Sequence, residues 1–263
     1  CGGTLLDYEI ENYTASNAHI WVRIPSLPAA GTTISVYYKN NTAVGSGENA
    51  TGVWDSNYVM VQHLEEGGTG TRTDSTRYKN NGTPNNYDGD EATANGKIDG
   101  ADDFDGTNDY LDTGNSTTLN CPNVTVEAWI NLHTANNSFA VSHGTDQQNG
   151  GYRLDIKSNS QTQYYLGRWD TGYLVEGSNI SLSTWYYMAL TWNGTTLTGY
   201  LNASLEGTDT TGTYTSSQLN VTIGRQSNTG FEYYWDGILD EVRISNTTRS
   251  ADWINQSYQM VAN

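Results

Sequence analysis

Carboxylate and amide side chains crowd several short polar segments of this sequence. Asp102 and Asp103 are adjacent, Asp105 and Asp109 flank a turn, and Asp236 lies shortly before the acidic pair that begins at residue 240. Oxygen-rich loops of this kind can bind a hard cation such as Ca²⁺. The same side chains can instead only cap turns, because Asp and Asn accept hydrogen bonds from nearby backbone amides. The sequence leaves both interpretations open.

Aromatic residues suggest a second kind of site. Trp169 and Tyr173 flank a predicted turn in the segment RWDTGY, and Tyr233 and Tyr234 form another aromatic pair. A flat ring can pack against the apolar face of a sugar, which makes Trp169 and Tyr173 candidate carbohydrate-binding residues. The alternative is that these rings lie in the core, because the chain has 19 Tyr and 8 Trp but only 3 Phe.

Catalytic chemistry is not favoured by the pattern of acidic residues. Retaining glycoside hydrolysis needs two carboxyl groups about 5–5.5 Å apart. Asp240 and Glu241 are neighbours on a predicted strand and therefore point to opposite faces, and Glu127 is the single acid of its strand. No metal-ligand spacing relates the histidines, which are His19, His63, His133 and His143. We therefore predict that the chain is not an enzyme.

Asn-x-Ser/Thr triplets are about twice as frequent as chance would give, and each is a potential N-glycosylation site. Their acceptors are Asn12, Asn40, Asn49, Asn81, Asn115, Asn123, Asn136, Asn179, Asn193, Asn202, Asn220, Asn246 and Asn255. A β protein rich in Asn and Thr also produces such triplets by composition alone. Because most of them fall at predicted strand ends and turns, where glycans are tolerated, we expect a glycosylated, extracellular protein of a cell surface.

Charge and hydropathy exclude two classes of partner. The net charge is −17 with only 12 Lys and Arg, and such a surface repels a phosphate backbone, so nucleic-acid binding is excluded. No apolar run approaches the roughly 20 residues that a membrane span requires. Because the sequence begins at Cys1 without an initiator Met, we expect a processed or truncated chain. For Cys1 and Cys121, a disulfide, a lipid on Cys1 and two free thiols all stay open.

Short runs of Val, Ile, Thr, Tyr and Trp separated by Gly, Asn, Asp and Ser predict an all-β protein. Residues 1–50 contain three predicted strands, 5–11, 19–25 and 32–38, and residues 65–97 are predicted to be a long irregular loop. Residues 248–260 predict a terminal helix capped by Ser250. The other predicted strands are 58–64, 124–132, 139–142, 152–156, 163–169, 185–192, 197–201, 219–224 and 238–245.

Four motifs follow one another in the order of a known family: DGTNDY at 105–110, TVEAW at 125–129, WYYMALT at 185–191 and GILDEVRI at 237–244. Over about residues 54–258 the chain resembles the laminin-G-like, concanavalin A-like jelly-roll family. The resemblance implies a two-sheet jelly-roll sandwich at 51–263 with a small N-terminal β segment. Residues 1–50 resemble the second half of an uncharacterised β module that often precedes such domains in archaeal and bacterial surface proteins.

The resemblance also implies a metal site. In this family a structural calcium ion can lie where an early Asp-Asn loop approaches the closing strand, which points to Asp74, Asn80 and Asp240. The segment DSTRYKNNGT at 74–83 is similar to the family's loop, although the residues at 77–79 depart from its pattern. Calcium is therefore the expected cofactor.

Because the fold hosts many functions, the family does not by itself fix one. We expect a non-catalytic cell-surface protein that is a structural subunit of a surface assembly or filament. Strands missing from the N-terminal segment would then be supplied by identical subunits, since open strand edges pair with other chains. The alternatives are a carbohydrate-binding or adhesin module that recognises cell-surface glycans, and an accessory domain of a larger secreted enzyme.

Overall fold

The computed structural model describes residues 4–37, 47–89, 92–93, 96–144, 150–167, 171–227 and 233–262. Contacts between residues divide the chain into two units, Cys1–Asp55 and Ser56–Asn263.

The first unit contains an antiparallel hairpin and one short helix. Its elements are β1 (Tyr8–Tyr13), β2 (Ala18–Val22) and α1 (Ala50–Val53). The Trp54 indole donates a hydrogen bond of 2.6 Å to Glu9, and its ring lies 5.4 Å from that of Trp21. The outer edge of β1 is partly covered within the unit, because the backbone N–H of Asn49 donates to the carbonyl of Tyr8. The unit is therefore held together by an indole–carboxylate bond as well as by its hairpin.

The prediction of a third strand in the first unit is wrong over the residues that are described. Residues 32–37 have no strand structure, and residue 38 lies outside the described residues. The side chains of Ile34 and Val36 are 44% and 65% exposed. A β-prone sequence forms a strand only when a neighbouring strand accepts and donates its backbone hydrogen bonds, and the hairpin of this unit does not take up residues 32–37 as a third strand.

The second unit is built almost entirely of strands. Its strands, in chain order, are β3 (Tyr58–Gln62), β4 (Thr83–Asn85), β5 (Ala92–Thr93), β6 (Ala101–Asp105), β7 (Tyr110–Asp112), β8 (Val124–Leu132), β9 (Ser138–Ser142), β10 (Tyr152–Ile156), β11 (Gln161–Leu166), β12 (Tyr173–Asn179), β13 (Trp185–Trp192), β14 (Leu197–Leu201), β15 (Ser204–Asp209), β16 (Thr222–Ile223) and β17 (Asp236–Ser245). A 3-10 turn covers Thr117–Leu119, and α2 covers Ala251–Ala262.

These strands form two antiparallel sheets with the core between them. One sheet has the order β12-β11-β10-β9-β16-β7-β4, and the other has the order β15-β14-β13-β8-β17-β6-β5, with β3 also paired to β17. The Tyr164 hydroxyl of the first sheet donates to the carbonyl of Tyr200 in the second at 2.9 Å. The prediction of an all-β, two-sheet jelly-roll sandwich is confirmed.

Helix α2 covers the outer face of the second sheet and explains why β8 is buried on both sides. The ring of Tyr258 stacks on that of Trp129 with centroids 5.6 Å apart. The predicted cap is confirmed, because the Trp253 backbone N–H donates to the Ser250 hydroxyl at 3.2 Å. The outer face of the first sheet, by contrast, carries an open cleft.

Candidate functional site

A cleft on the outer face of the seven-stranded sheet, here called the sheet cleft, encloses about 160 Å³. Among the described residues it combines aromatic rings, one cation, one carboxylate and two amides, with one aliphatic side chain beside them. Its lining residues are Asn137, Phe139, Arg153, Asp155, Ile156, Gln163, Tyr165 and Tyr233.

Alternation along β10 and β11 places these side chains on one surface. Tyr164 belongs to the core cluster between the sheets, so its neighbours Gln163 and Tyr165 project to the other face. Arg153 and Asp155 do the same on β10. Antiparallel pairing then sets Arg153 opposite Tyr165 and Asp155 opposite Gln163. Phe139 of β9 completes the row, because it is paired with Asp155 from the other side.

The rings hold the guanidinium of Arg153 in a fixed place. Its central carbon lies 4.4 Å from the ring centre of Tyr165 and 5.8 Å from that of Phe139. These distances fit cation–π contacts. The ring of Tyr233 lies 5.8 Å from that of Phe139 and continues the aromatic wall. Arg153 is only 2% exposed, so its guanidinium is packed among its neighbours and its position in the cleft is fixed.

The polar groups of the cleft are also buried and oriented. Asp155 and Gln163 are 5% and 7% exposed. The amide nitrogen of Gln163 lies 3.3 Å from a carboxylate oxygen of Glu176, and the side-chain oxygen of Asn137 accepts from the backbone N–H of Ser158 at 3.0 Å. Buried, oriented donors and acceptors beside flat rings can hydrogen-bond the hydroxyl groups of a small polar ring while its apolar face packs on an aromatic wall.

The sequence-predicted sugar-binding pair does not form this site. Trp169 lies outside the described residues. The prediction that Tyr173 binds a sugar is wrong. The ring of Tyr173 is buried in the core, 4.4 Å from the ring of Trp192, so it offers no face to a ligand. The reason is that Tyr173 begins β12, with its side chain on the inner face. Of the second aromatic pair, Tyr233 lines the sheet cleft.

A second, larger cleft of about 540 Å³ lies where β6, β8 and β17 meet. Its lining is mostly carboxylates and amides, so we call it the acidic cleft. Its lining residues are Asn86, Asp88, Asp103, Phe104, Asp105, Asn108, Asp109, His133 and Asp236. His133 lies 3.5 Å from Asp103 and 3.7 Å from Asp236. Burial raises the pKa of Asp103, and Asp236 adds to that rise while His133 opposes it.

Part of the acidic cleft consists of capped turns. The Asp105 carboxylate accepts from the backbone N–H groups of Thr107 at 2.7 Å and Asn108 at 3.2 Å. Burial alone would raise the pKa of Asp105, but these amide donors lower it. For Asp105 in the DGTNDY motif, these hydrogen bonds therefore agree with the interpretation that its carboxylate caps a turn.

The three residues predicted to bind calcium have different surroundings. Asp74 is fully buried, and its carboxylate accepts from the N–H groups of Val61, Thr76 and Asn80 and from the Thr76 hydroxyl, at 2.8–3.0 Å. It therefore holds the loop that contains Asn80 against β3. These donors occupy the oxygens that a cation would need, so Asp74 fits a loop anchor better than a calcium ligand in this arrangement.

Asp240, the third predicted ligand, organises another loop. One of its oxygens accepts from the backbone N–H groups of Lys97 at 2.6 Å and Ile98 at 2.9 Å. The structure thus joins Asp74 directly to Asn80 and joins Asp240 to residues 97–98. A calcium ion shared by all three residues stays a prediction.

The carboxylates considered above for catalysis, Glu127 and Glu241, are enclosed. Glu127 and Glu241 are 0% and 1% exposed. The Tyr187 hydroxyl donates to Glu127, and Glu241 is held by His63 and Arg243. Neither carboxylate is open to a substrate.

Cys121 is buried with a free thiol, and burial raises its pKa to about 12. Cys1 lies outside the described residues. A thiol with this pKa is protonated and unreactive at neutral pH.

The potential glycosylation sites divide into two groups. In the first group the acceptor nitrogen donates a hydrogen bond at the surface: Asn49, Asn115, Asn179 and Asn220 donate to Asp7, Gln218, Asn159 and Asp112. In the second group the side-chain nitrogen donates no hydrogen bond to the described residues: Asn123, Asn136, Asn246 and Asn255. All eight of these residues are exposed. Asn40 lies outside the described residues. The remaining acceptors are Asn12, Asn81, Asn193 and Asn202, and glycosylation of any site stays a prediction.

Within the described part of the chain, no helix has the length and apolarity needed to cross a membrane. Residues 105–255 match the sequence profile of the concanavalin A-like lectin/glucanases superfamily, and residues 2–58 match that of a domain of unknown function (DUF2341). No match to a curated protein was found.

Several solved structures share the fold. One is domain 4 of AbnA, a GH43 extracellular arabinanase from Geobacillus stearothermophilus, in complex with arabinotriose (TM-score 0.58, 16% identity, 76% of this chain and 97% of that chain). Another is the binding domain of Paraclostridial Mosquitocidal Protein 1, with a TM-score of 0.60 and 12% identity, covering 79% of this chain and 53% of that chain. A third is the receptor-binding domain of the botulinum neurotoxin C/D mosaic serotype, with a TM-score of 0.58 and 14% identity, covering 78% of this chain and 51% of that chain. This chain thus spans about half of each toxin domain.

Proposed function

We propose that this chain, which belongs through residues 105–255 to the concanavalin A-like lectin/glucanases superfamily, is a non-catalytic module that binds carbohydrate in the sheet cleft. The observation that carries the proposal is the composition of that cleft. Aromatic rings and buried hydrogen-bonding side chains share one outer surface of a sheet, the combination with which pockets hold small polar ring ligands.

The comparisons with solved structures support a binding function, since the similar domains are binding domains or carry a bound sugar. The structure of the arabinanase domain is a complex with arabinotriose, and the two toxin structures are binding domains. At identities of 12–16% these similarities concern the fold, so the ligand of this chain rests on its own cleft. A soluble glycan or a cell-surface glycan would suit the extracellular location that we propose for this chain.

A structural role in a surface assembly is a second candidate, and a different observation favours it. The first unit exposes large apolar side chains, among them Ile24, Leu27, Ile34 and Val36 at 40–65%. Exposed apolar side chains concentrated in one unit suit contact with another subunit. This role is compatible with carbohydrate binding, because the two surfaces lie in different units.

Glycan binding by the full chain on an array of neutral and acidic oligosaccharides tests the primary proposal. We expect binding that Tyr165→Ala reduces at least tenfold, since the variant removes one aromatic wall of the cleft. Tyr13→Ala is the matched control, because Tyr13 is a 73% exposed tyrosine of the first unit. Absence of binding, or equal binding by wild type and Tyr165→Ala, would reject the sheet cleft as the site.

A further inference from the structure

We infer that the sheet cleft selects sugars that carry an acetamido group over the same sugars with a hydroxyl in its place. This inference rests on the proposed carbohydrate-binding function and adds the class of sugar. It follows from the two side-chain amides of the cleft, Asn137 and Gln163, each of which is held at one end and presents the other end to a ligand.

Gln163 presents its carbonyl oxygen. The amide nitrogen lies 3.3 Å from Oε1 of Glu176, the oxygen that is also paired with Lys157. An ionised carboxylate only accepts hydrogen bonds, so the nitrogen end of the Gln163 amide faces Glu176 and the oxygen end turns away from it. Within the described part of the chain no donor bonds that oxygen, although Gln163 is only 7% exposed. A ligand that meets this oxygen must supply an N–H or O–H donor.

Asn137 presents the opposite end of its amide. Its side-chain oxygen accepts from the backbone N–H of Ser158 at 3.0 Å, which fixes that oxygen against the turn between β10 and β11. The Nδ2 group can donate two hydrogen bonds and has no acceptor among the described residues. Because Asn137 lines the cleft, a ligand atom that meets this nitrogen must be an acceptor.

The two amides lie on either side of β10. Asn137 immediately precedes β9 and Gln163 belongs to β11, and both strands pair with β10. A ligand group above β10 therefore meets a donor on one side and an acceptor on the other. A secondary amide matches this arrangement, because its planar trans geometry points the carbonyl oxygen and the N–H in opposite directions.

The aromatic wall suits the methyl of an acetamido group. Phe139 follows Asn137 by two residues, both line the cleft, and the ring of Phe139 lies 5.8 Å from that of Tyr233. An acetamido group whose carbonyl accepts from Asn137 carries its methyl on the same carbon, beside these rings, where apolar contact is favourable. Two neighbouring hydroxyls could meet both amides, but they supply no apolar group for the rings.

The experiment compares matched sugars on the full chain by calorimetry and NMR titration. The probes are methyl N-acetylglucosaminide with methyl glucoside and methyl N-acetylgalactosaminide with methyl galactoside, and each pair differs only at carbon 2. We expect the acetamido sugar of at least one pair to bind at least tenfold tighter than its partner, the scale of one or two net hydrogen bonds. In saturation-transfer NMR we expect the acetamido methyl to receive the strongest transfer, because it contacts the rings.

The outcomes separate the inference from the function beneath it. Hydroxyl sugars that bind as well as their acetamido partners overturn the selectivity and leave glycan binding intact. Binding on the array that is confined to glycans without an acetamido group does the same. If no sugar binds in either experiment, the proposed function itself fails, and the inference fails with it.

The substitution Asn137→Asp adds a readout that a purely structural role would not move. It keeps an oxygen for the Ser158 N–H but replaces the Nδ2 donor with a second oxygen, which repels the carbonyl of the ligand. We expect the ratio of acetamido to hydroxyl affinity to fall at least fivefold, whatever the loss in total affinity.

Asn159→Asp is the matched control for this substitution. It makes the same chemical change on the turn between β10 and β11, where the side-chain oxygen of Asn159 likewise accepts a backbone N–H, but Asn159 is not among the lining residues of the cleft. We expect this control to leave the affinity ratio unchanged. An unchanged ratio in a folded Asn137→Asp protein overturns the assignment of acetamido selectivity to Asn137.

Discussion

The imidazole Nδ1 of His63 lies 2.5 Å from Oε1 of Glu241, and Nε of Arg243 lies 3.0 Å from the other oxygen of the same carboxylate. Burial alone would raise the pKa of Glu241, but its contacts with His63 and the Arg243 guanidinium lower that pKa to about 2. Glu241 is therefore a buried acid that the fold keeps ionised.

This arrangement predicts acid lability. Because the folded pKa lies below the ordinary value of 4.5, the stabilisation is present above pH 4.5 and is lost as the pH falls toward 2. We expect Glu241→Gln to lower the free energy of unfolding at pH 7 by on the order of 3 kcal/mol and to flatten its decline below pH 4.5. Urea unfolding as a function of pH measures this. Glu176→Gln is the exposed control, and parallel pH profiles for wild type and Glu241→Gln would contradict the prediction.

Asp74 should be among the most sensitive positions of the polar loops. Its removal leaves the buried amides of Val61, Thr76 and Asn80 without their acceptor. We expect Asp74→Ala to lower the unfolding free energy by about 3 kcal/mol or more. Asp105→Ala removes a similar cap from an exposed turn and should cost about 1 kcal/mol. Denaturant unfolding compares the two, and equal losses would contradict a special role for Asp74.

Calcium binding through Asp74, Asn80 and Asp240 makes a separate prediction about metal. A cation bound only to the folded chain stabilises it by mass action, so EDTA should lower the melting temperature and added Ca²⁺ should restore it. Asp240→Asn should abolish that response. A melting temperature that neither EDTA nor Ca²⁺ changes would show that the hydrogen bonds of Asp74 and Asp240 act without an ion.

Strand positions were predicted correctly where the local residue pattern alone indicates a strand. Strand β8 coincides with the predicted 124–132, and β10 also coincides with its prediction, because side chains that face the core alternate with others along both strands. Strands β13 and β14 coincide with their predictions because each is a short run rich in aromatic, aliphatic and Thr residues. Strand β15 was missed because Ser204–Asp209 is largely polar and has no buried residue at a sheet edge, where little apolar surface is required. The strand predicted at 32–38 failed over residues 32–37 for the opposite reason: its apolar residues have no partner strand in the described part of the chain.

The sheet cleft could be anticipated only in part. Alternation within β10 indicates that Arg153 and Asp155 share a face. The neighbours that complete the cleft, Phe139, Gln163 and Tyr233, come from separate segments, and only the order of the strands brings them together. Tyr173 was misplaced because an aromatic residue at a strand end has the same sequence signature whether its ring faces the core or solvent.

Glycan occupancy should follow the availability of the acceptor nitrogen. Both side chains are exposed, but the Asn220 amide donates to both carboxylate oxygens of Asp112 at 2.9 Å, whereas the Asn246 amide donates no hydrogen bond to the described residues. In native material we expect Asn246 and Asn123 to be modified more completely than Asn220 and Asn115. Glycopeptide mass spectrometry measures each occupancy. Higher occupancy at Asn220 than at Asn246, or a mass equal to the bare 28.9 kDa chain, would contradict the prediction.

The apolar side chains of the first unit predict self-association. Ile34 and Val36 are exposed on a β-prone segment that forms no strand, and the edge of β1 is partly covered by the unit's own residue 49. Residues 32–37 are therefore the segment most ready to pair with the sheet of another subunit, and a head-to-tail contact of that kind extends into a filament unless its rotation closes a ring.

The double variant Ile34→Ser, Val36→Ser tests this contact directly. We expect native protein to sediment as dimers or longer polymers and the variant to shift to monomer, because the substitutions remove the apolar surface while leaving the hairpin untouched. Leu205→Ser is the control, since Leu205 is 62% exposed but lies in the second unit. Glycan binding should be the same in all three proteins. A monomeric wild type across the measured concentrations, or a variant that associates as the wild type does, would rule out the first unit as the contact.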